Sequence, residues 1–326
     1  MTVRTFAAMN TELGNDILKA AELLKADSVV AIPTETVYGL AANALSETAV
    51  VKIFEAKDRP FFDPLIVHIK PSDDPSKYVS YIPDVAKKLI ERFWPGPLTL
   101  VLPKNDIIPA IVTAGQDTVG LRMPSQPTAQ QLLESLNFPL AAPSANPFGY
   151  ISPTSAQHVF DQLQGKIPYI LDGGPCTVGV ESTIIGFEKD EPIVYRLGGT
   201  PIEEIEAITG KIRLQINQSS NPSAPGQLKS HYAPGKPVLR GDIAELTNQY
   251  PDKKLAIISL NKAFSGENIL QNWILSRSGN LEEAAINLFK ALREADQSDA
   301  DLIIAEIFPE RGLGRAINDR LKRAAG

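Results

Sequence analysis

The chain has 326 residues, of which 43% are hydrophobic and 21% charged, and its formal net charge of −6 provides no basic field for binding nucleic acid. A single cysteine, Cys176, excludes an internal disulfide or a cysteine metal cluster, and three histidines far apart form no H-E-x-x-H zinc motif. No apolar run approaches the roughly 20 residues of a membrane span, and the first residues lack a signal peptide's apolar core, so we expect a cytoplasmic protein.

Short helices and strands alternate along the first 210 residues. Apolar side chains at helical spacing predict helices over residues 15–26, Ser46–Lys57, Pro83–Trp94, 153–163 and Pro201–Thr209. Short apolar runs predict strands over Val29–Ile32, Leu65–Ile69, Leu98–Leu102, Thr118–Pro124, Leu140–Ala142 and Tyr169–Gly174. This alternation is typical of an α/β fold.

Two cationic positions stand out against this background. Lys57 lies in the last turn of a predicted helix, where it suits the helix macrodipole and needs no further role. Arg122 lies on a predicted strand, and a buried guanidinium must find a partner. Arg122 therefore either pairs with an internal acid or faces a cleft and binds an anion.

A polar turn follows the strand Leu140–Ala142. It contains the triplet Ser144-Ala145-Asn146, and Ser152 then stands before Pro153 as a good N-cap for the next helix. A helix N-terminus with a serine can bind an anion, although capping alone explains Ser152.

In their order along the chain, these segments resemble the threonylcarbamoyl-AMP synthase family, the proteins with a YrdC-like domain. The matching segments are PTETVYGL (Pro33–Leu40), KDRP (Lys57–Pro60), PLIVHI (Pro64–Ile69), WPGPLT (Trp94–Thr99), TVGLRMP (Thr118–Pro124), SAN (Ser144–Asn146), SPT (Ser152–Thr154), ESTIIGF (Glu181–Phe187) and VYRLG (Val194–Gly198). The resemblance implies a YrdC-like twisted mixed sheet with helices around a large cleft.

The second half begins with a polar stretch rich in proline and glycine. Residues 211–237 have linker composition, yet they include His231 and Tyr232, as do the family's two-domain members, with Ala224 in place of a usual serine. We expect this segment to fold back over the cleft. Residues 238–326 predict a smaller, Rossmann-like α/β domain, so the predicted domains are 1–210 and 238–326. The final RGLGRAINDR segment is only a partial dinucleotide fingerprint, and we assign it no catalytic role.

The resemblance implies synthesis of threonylcarbamoyl-AMP from L-threonine, bicarbonate and ATP, with release of pyrophosphate. It implies catalytic roles for Lys57 and Arg59. It implies ATP contacts by Arg59, Asp63, Thr118, Ser144, Asn146, Ser152, Arg196 and Tyr232. It implies threonine contacts by Thr36, His68, Arg122, Ala142 and Ser182. Mg²⁺ is expected to accompany the nucleotide, and no metal site made of protein ligands is expected.

Some features leave alternatives open. The family usually has asparagine where Asp63 stands, and an acid there repels phosphate unless it binds Mg²⁺ or is neutralised by Arg59. Arg196 could form a surface ion pair instead, and Cys176 has no neighbour in sequence that would activate a thiol nucleophile.

Other functions compete with this one. A YrdC-like cleft could bind double-stranded RNA or tRNA directly as a maturation factor without catalysis, although the acidic balance opposes it. A related carbamoyl-adenylate enzyme would need zinc-finger modules, which a chain with one cysteine lacks. The resemblance to the synthase family also implies a separate transferase that modifies the adenosine beside the tRNA anticodon.

Overall fold

The computed structural model describes residues 10–216 and 232–326. These residues form an eleven-stranded sheet and a four-stranded sheet with helices against them, so the predicted α/β fold class is confirmed. The predicted domain bounds stay a prediction, and residues 217–231 of the predicted linker lie outside the described ranges. Within those ranges, no helix has the length and apolar character needed to cross a bilayer.

The larger sheet and its helices come from the first part of the chain. Its strands are β1 (Glu12–Gly14), β2 (Val30–Ile32), β3 (Gly39–Asn43), β4 (Ile66–His68), β5 (Leu98–Pro103), β6 (Thr118–Arg122), β7 (Leu140–Ala141), β8 (Tyr169–Leu171), β9 (Thr183–Glu188), β10 (Glu191–Arg196) and β11 (Arg213–Leu214). Its helices are α1 (Ile17–Lys25), α2 (Glu47–Lys57), α3 (Asp84–Phe93), α4 (Pro127–Glu134), α5 (Ala156–Leu163) and α6 (Ile202–Thr209), with a 3₁₀ turn over Pro75–Lys77.

The strand order brings polar positions together at the middle of this sheet. The order is β1-β8-β2-β3-β7-β4-β6-β5-β9-β10-β11. Strands β4 and β6 are parallel neighbours, with His68 opposite Arg122, and β7 runs antiparallel to β4 with Leu140 opposite His68. Because parallel strands end at the same edge, the predicted residues on β4 and β6 meet there.

One predicted cap is right and another is wrong. Ser46 caps α2, and its hydroxyl oxygen accepts from the N–H of Ala49 at 3.3 Å. Ser152, however, does not cap α5, because that helix begins at Ala156 and Ser155 accepts from the N–H of His158. The Ser152 hydroxyl is instead held by a distant carboxylate, described below, which leaves Ser155 as the cap.

The second unit is a small parallel sheet. Its strands are β12 (Val238–Arg240), β13 (Leu255–Ser259), β14 (Ile269–Ile274) and β15 (Leu302–Ala305), in the order β12-β15-β13-β14. Its helices are α7 (Ile243–Gln249), α8 (Leu281–Gln297) and α9 (Gly314–Ala324). The apolar core of this unit includes Val37, Ile151 and Val180 from loops of the first unit. The second unit therefore packs directly on the loops that surround the larger sheet's polar edge.

Candidate active site

A cleft opens where the middle strands of the larger sheet end. Nine of the fourteen predicted site residues line it: Thr36, Arg59, His68, Arg122, Ala142, Ser144, Ser182, Arg196 and Tyr232. The shared lining brings together guanidinium groups from three separate parts of the chain. We call the part formed by Thr36, His68, Arg122 and Ala142 the Arg122 side, and the part formed by Glu181, Arg196 and Tyr232 the Arg196 side.

Arg122 both pairs with an acid and faces the cleft. Its Nη2 donates to Oε1 of Glu35 at 2.6 Å, and its Nε donates to the carbonyl of Gly96 at 3.3 Å. The other Glu35 oxygen accepts from the N–H of Ser125 at 3.2 Å. Because Arg122 and Glu35 are both buried, this pair fixes the guanidinium beside the cleft.

The rest of the Arg122 side is neutral and polar. The hydroxyl oxygens of Thr34 and Thr36 lie 2.8 Å apart. Burial and the nearby Arg122 lower the pKa of His68 to about 3, so its imidazole is uncharged at neutral pH. The N–H of Ala142 donates to the Ile66 carbonyl at 3.0 Å and is already engaged.

Arg59 reaches the cleft from the loop after α2 and carries its own counterion. Its Nη2 lies 2.8 Å from Oδ2 of Asp63 and donates to the Pro64 carbonyl at 3.0 Å. Asp63 is 0% exposed and does not line the cleft. Burial raises the pKa of its carboxyl, and the cations Arg59, Lys57 and Arg196 oppose that shift. Of the alternatives for Asp63, the structure favours neutralisation by Arg59.

Lys57 lies behind the cleft rather than in its lining. Its Nζ donates to the Ser144 carbonyl at 2.5 Å and also to the Asn146 carbonyl. Burial, reinforced by Arg59, lowers its pKa well below the usual value. Asn146 donates its amide N–H to the Tyr150 carbonyl at 2.7 Å, while its buried Oδ1 has no hydrogen-bond partner among the described residues. Lys57 therefore fixes the backbone of the Ser144–Asn146 turn, and its predicted substrate contact stays a prediction.

Arg196 and Ser182 are hydrogen-bonded to each other in the cleft wall. Arg196 donates from Nε to the Ser182 carbonyl at 3.1 Å and from Nη2 to the Ser182 hydroxyl at 3.1 Å. That hydroxyl also lies 2.8 Å from the hydroxyl of Thr99. Because Arg196 is buried, it is no surface ion pair, and burial lowers its pKa to about 10, which leaves it charged at neutral pH.

Glu181 is a lining residue that sequence reasoning missed. Its Oε1 accepts from the Ser152 hydroxyl at 2.6 Å, and its Oε2 accepts from Nε of Arg320 at 2.7 Å. Burial alone would raise the pKa of Glu181, but Arg320 and Arg196 lower it to about 2. Ser152 is thus joined to the cleft through Glu181, although it does not line the cleft itself.

Of the remaining predicted site residues, Tyr232 lines the cleft and Thr118 does not. Tyr232 is buried in the cleft wall, with its ring centroid 5.6 Å from that of Phe289 and 5.0 Å from the Arg320 guanidinium carbon. His231 lies outside the described residues. Thr118 begins β6, four residues from Arg122 and so about 13 Å away along the strand, and it is not among the lining residues. Cys176 is buried, and burial raises the pKa of its thiol.

The missed residues share one cause. Glu35, Glu181 and Arg320 act through ion pairs whose partners lie 87 to 139 residues away. Glu35 and Glu181 each stand beside a predicted residue, Thr36 or Ser182, and this adjacency was the available signal. Nothing in the local sequence pointed to Arg320.

Two family models match consecutive parts of the chain. A family model described as "Telomere recombination" matches residues 22–198, and one described as "Threonylcarbamoyl-AMP synthase, C-terminal domain" matches residues 200–326. The first model includes every lining residue except Tyr232. The chain belongs to the threonylcarbamoyl-AMP synthase family.

Individual relatives match over nearly the whole chain. The threonylcarbamoyl-AMP synthase of Pyrococcus abyssi is 44% identical over 94% of this chain and 93% of its own length, and that of Bacillus subtilis is 43% identical over 100% and 98%. The crystal structure of P. abyssi Sua5 complexed with L-threonine superposes with a TM-score of 0.89 at 42% identity, covering 98% of this chain and 97% of that one. A shorter relative from Enterobacter is 32% identical over 164 residues, which is 50% of this chain and 86% of that protein.

Proposed function

We propose that this protein is an L-threonylcarbamoyladenylate synthase, which converts L-threonine, bicarbonate and ATP to threonylcarbamoyl-AMP and pyrophosphate. The observation that carries the proposal is the convergence of Arg59, Arg122 and Arg196 on one cleft of an otherwise acidic protein. Membership of the family and the threonine-bound relative support the choice of substrates.

The reaction needs this local positive charge. The threonine amine adds CO₂ to give a carbamate, and a carbamate oxygen then attacks the α-phosphorus of ATP while pyrophosphate leaves. Two carboxylate-type anions and a polyphosphate must approach one another. At an effective dielectric near 20, two unit charges ~4 Å apart repel by about 4 kcal/mol. Fixed guanidinium groups offset this repulsion without reorganising during the reaction.

The Arg122 side suits the amino acid. Arg122 offers a planar guanidinium for the threonine carboxylate, a geometry that favours bidentate binding. Thr36, neutral His68 and Ala142 line the cleft beside it and would contact the amino acid. Ser182, which is hydrogen-bonded to Arg196, would also contact threonine.

The Arg196 side and Arg59 suit the nucleotide. Arg59, Ser144 and Arg196 would contact phosphate oxygens, and Tyr232 would cover the nucleotide. We propose that Lys57, Asn146 and Ser152 act on the nucleotide by positioning the turn and Glu181, since these three side chains do not line the cleft. Asp63 would act by orienting Arg59, and Thr118 is the least supported of the predicted ATP contacts.

The described residues contain no group of three or more His, Cys, Asp or Glu side chains that could hold a metal ion. Mg²⁺ is commonly carried on substrate phosphates with several waters retained. We therefore propose that it enters with ATP and is bound mainly by the phosphates. The product would pass to a separate transferase that modifies the adenosine beside the tRNA anticodon.

The test is pyrophosphate release from ATP in the presence of bicarbonate. We expect release with L-threonine and much slower release with serine or alanine, because the site must hold the amino acid and its methyl group. Equal release with and without threonine would contradict the proposal. A tRNA gel shift with no threonine-dependent turnover would instead favour the RNA-binding alternative.

A further inference from the structure

The cleft contains a charge that opposes its proposed use. Among the described residues that line it, Glu181 is the single carboxylate, and it stands beside Arg196. Its carboxyl is ionised, because the neighbouring arginines lower its pKa to about 2. An ionised carboxylate at this position repels a polyphosphate unless another charge cancels it.

The cancelling charge comes from the second unit. Arg320 on α9 is 0% exposed, and its Nε donates to Oε2 of Glu181 at 2.7 Å. Its Nη2 donates to the carbonyl of Leu197, the residue after Arg196, at 3.0 Å. Arg320 therefore holds both the carboxylate and the backbone next to the cleft arginine.

The same guanidinium organises two further groups. Its central carbon lies 5.0 Å from the ring centroid of Tyr232, within the range of a cation–π contact. Through Glu181 it also fixes Ser152, whose hydroxyl donates to the other carboxylate oxygen. Asp319 accepts from Nη1 of Arg320 at 2.6 Å.

We propose that Arg320 is a positioning residue for the nucleotide: it neutralises Glu181 and so makes nucleotide binding in the first unit depend on the second unit. This inference rests on the proposed function in taking the Arg196 side as the nucleotide site. The segment that contains Arg320 is the one to which the sequence alone gave no catalytic role.

The experiment is calorimetry on the full chain with α,β-methylene-ATP, in which the bond broken by the proposed reaction cannot break. We expect Arg320→Met to weaken analogue binding on the order of tenfold or more, since Glu181 then loses its ion-pair partner. L-Threonine binding should change less than about twofold, because the Arg122 side does not contact Arg320. The double variant Arg320→Met/Glu181→Gln should regain most of the lost affinity.

A matched control is available on the same helix. Arg315 also joins α9 to the first unit, through an ion pair with Glu203 at 3.3 Å, but neither Arg315 nor Glu203 lines the cleft. Arg315→Met should leave analogue binding unchanged. Equal weakening by Arg315→Met and Arg320→Met would overturn the proposal, since a general loosening of the two units would then explain both.

Folding is followed by circular dichroism, because a stranded buried carboxylate can destabilise the single variant. If Arg320→Met does not fold, the double variant is compared with Glu181→Gln. Equal affinities support the proposal, and a tenfold loss in the double variant overturns it, because no carboxylate then remains to be neutralised. Normal analogue binding by the unmodified chain without threonine-dependent pyrophosphate release would contradict the proposed function and leave this comparison valid.

Discussion

The Arg122 side and the Arg196 side of the cleft are built from different parts of the chain. On the Arg122 side, the guanidinium at the end of β6 and its partner Glu35 in the loop between β2 and β3 both belong to the first unit. On the Arg196 side, Glu181 belongs to the first unit but its partner Arg320 comes from the second. The first side is therefore self-contained, whereas the second is complete only when the two units are joined.

The largest expected effect is a loss of threonine affinity when Arg122, on the self-contained side, is replaced. Arg122→Met removes a charged hydrogen-bonding group, a change worth about 2–3 kcal/mol, or roughly a hundredfold in threonine affinity. Binding of α,β-methylene-ATP should stay within about twofold, as calorimetry with each ligand would show. The double variant Arg122→Met/Glu35→Gln serves as control, since it also removes the Glu35 carboxylate that Arg122→Met leaves without its partner. Equal losses for both ligands would mean that the two sides are not separate.

A smaller loss of activity is expected from a substitution of Lys57, which lies behind the cleft lining. Lys57→Met leaves the carbonyls of Ser144 and Asn146 without their donor, and we expect kcat/KM for ATP to fall about tenfold to a hundredfold. Lys52→Met is the matched control on α2, because its Nζ donates to the Asp27 carbonyl away from the cleft. Steady-state kinetics that show similar falls in both variants would remove Lys57 from the mechanism.

The Arg122 side also predicts a pH dependence of stability. The pKa of His68 is about 3 in the fold and near 6.5 when unfolded, so between these values the unfolded chain binds the extra proton. Stability is then lost as pH falls below about 6.5, by up to about 1.4 kcal/mol per pH unit.

Denaturant unfolding at pH 7 and pH 5 tests this dependence. His68→Gln should lose less stability than the unmodified chain, by about 2 kcal/mol. His158, whose pKa is also lowered, is present in both proteins and cancels. An identical pH dependence in the two proteins would contradict the assignment of His68 as a buried neutral group.

The smallest expected effects distinguish the roles of Ser152 and Ser155. Ser155→Ala removes the cap of α5 and should cost about 1 kcal/mol of stability with activity kept. Ser152→Ala removes the donor to Glu181 and should weaken nucleotide binding instead. Thermal unfolding and analogue titration of both variants would show whether these roles are reversed.

Local patterns predicted much of the fold because they are set by neighbouring residues. The apolar spacing along α2 and the Ser46 cap needed only a few consecutive positions. Helix α4 was missed because Pro127 and two glutamines obscure a short apolar stripe. The Ser152 cap failed because a carboxylate 29 residues away takes its hydroxyl, which leaves Ser155 to cap the helix.

The site was predictable where the family's motifs mark it and not where distant charges complete it. Arg59, Arg122 and Arg196 were expected in the cleft and line it. Their counterions Glu35 and Glu181, and Arg320, depend on pairings across 87 to 139 residues that no spacing in the sequence encodes. The sequence did not reveal that Lys57 donates to the carbonyls of Ser144 and Asn146, and its expected contact with substrate stays a prediction.

The Glu181–Arg320 pair carries an evolutionary consequence. A protein as short as the Enterobacter relative, of which 164 aligned residues make 86%, has no room for both units. From our proposal for Arg320, we expect such a protein to lack the acid at the position of Glu181 or to pair it with a cation from its own sheet. Across the family, the residue at that position and the presence of an arginine in the last helix should therefore covary.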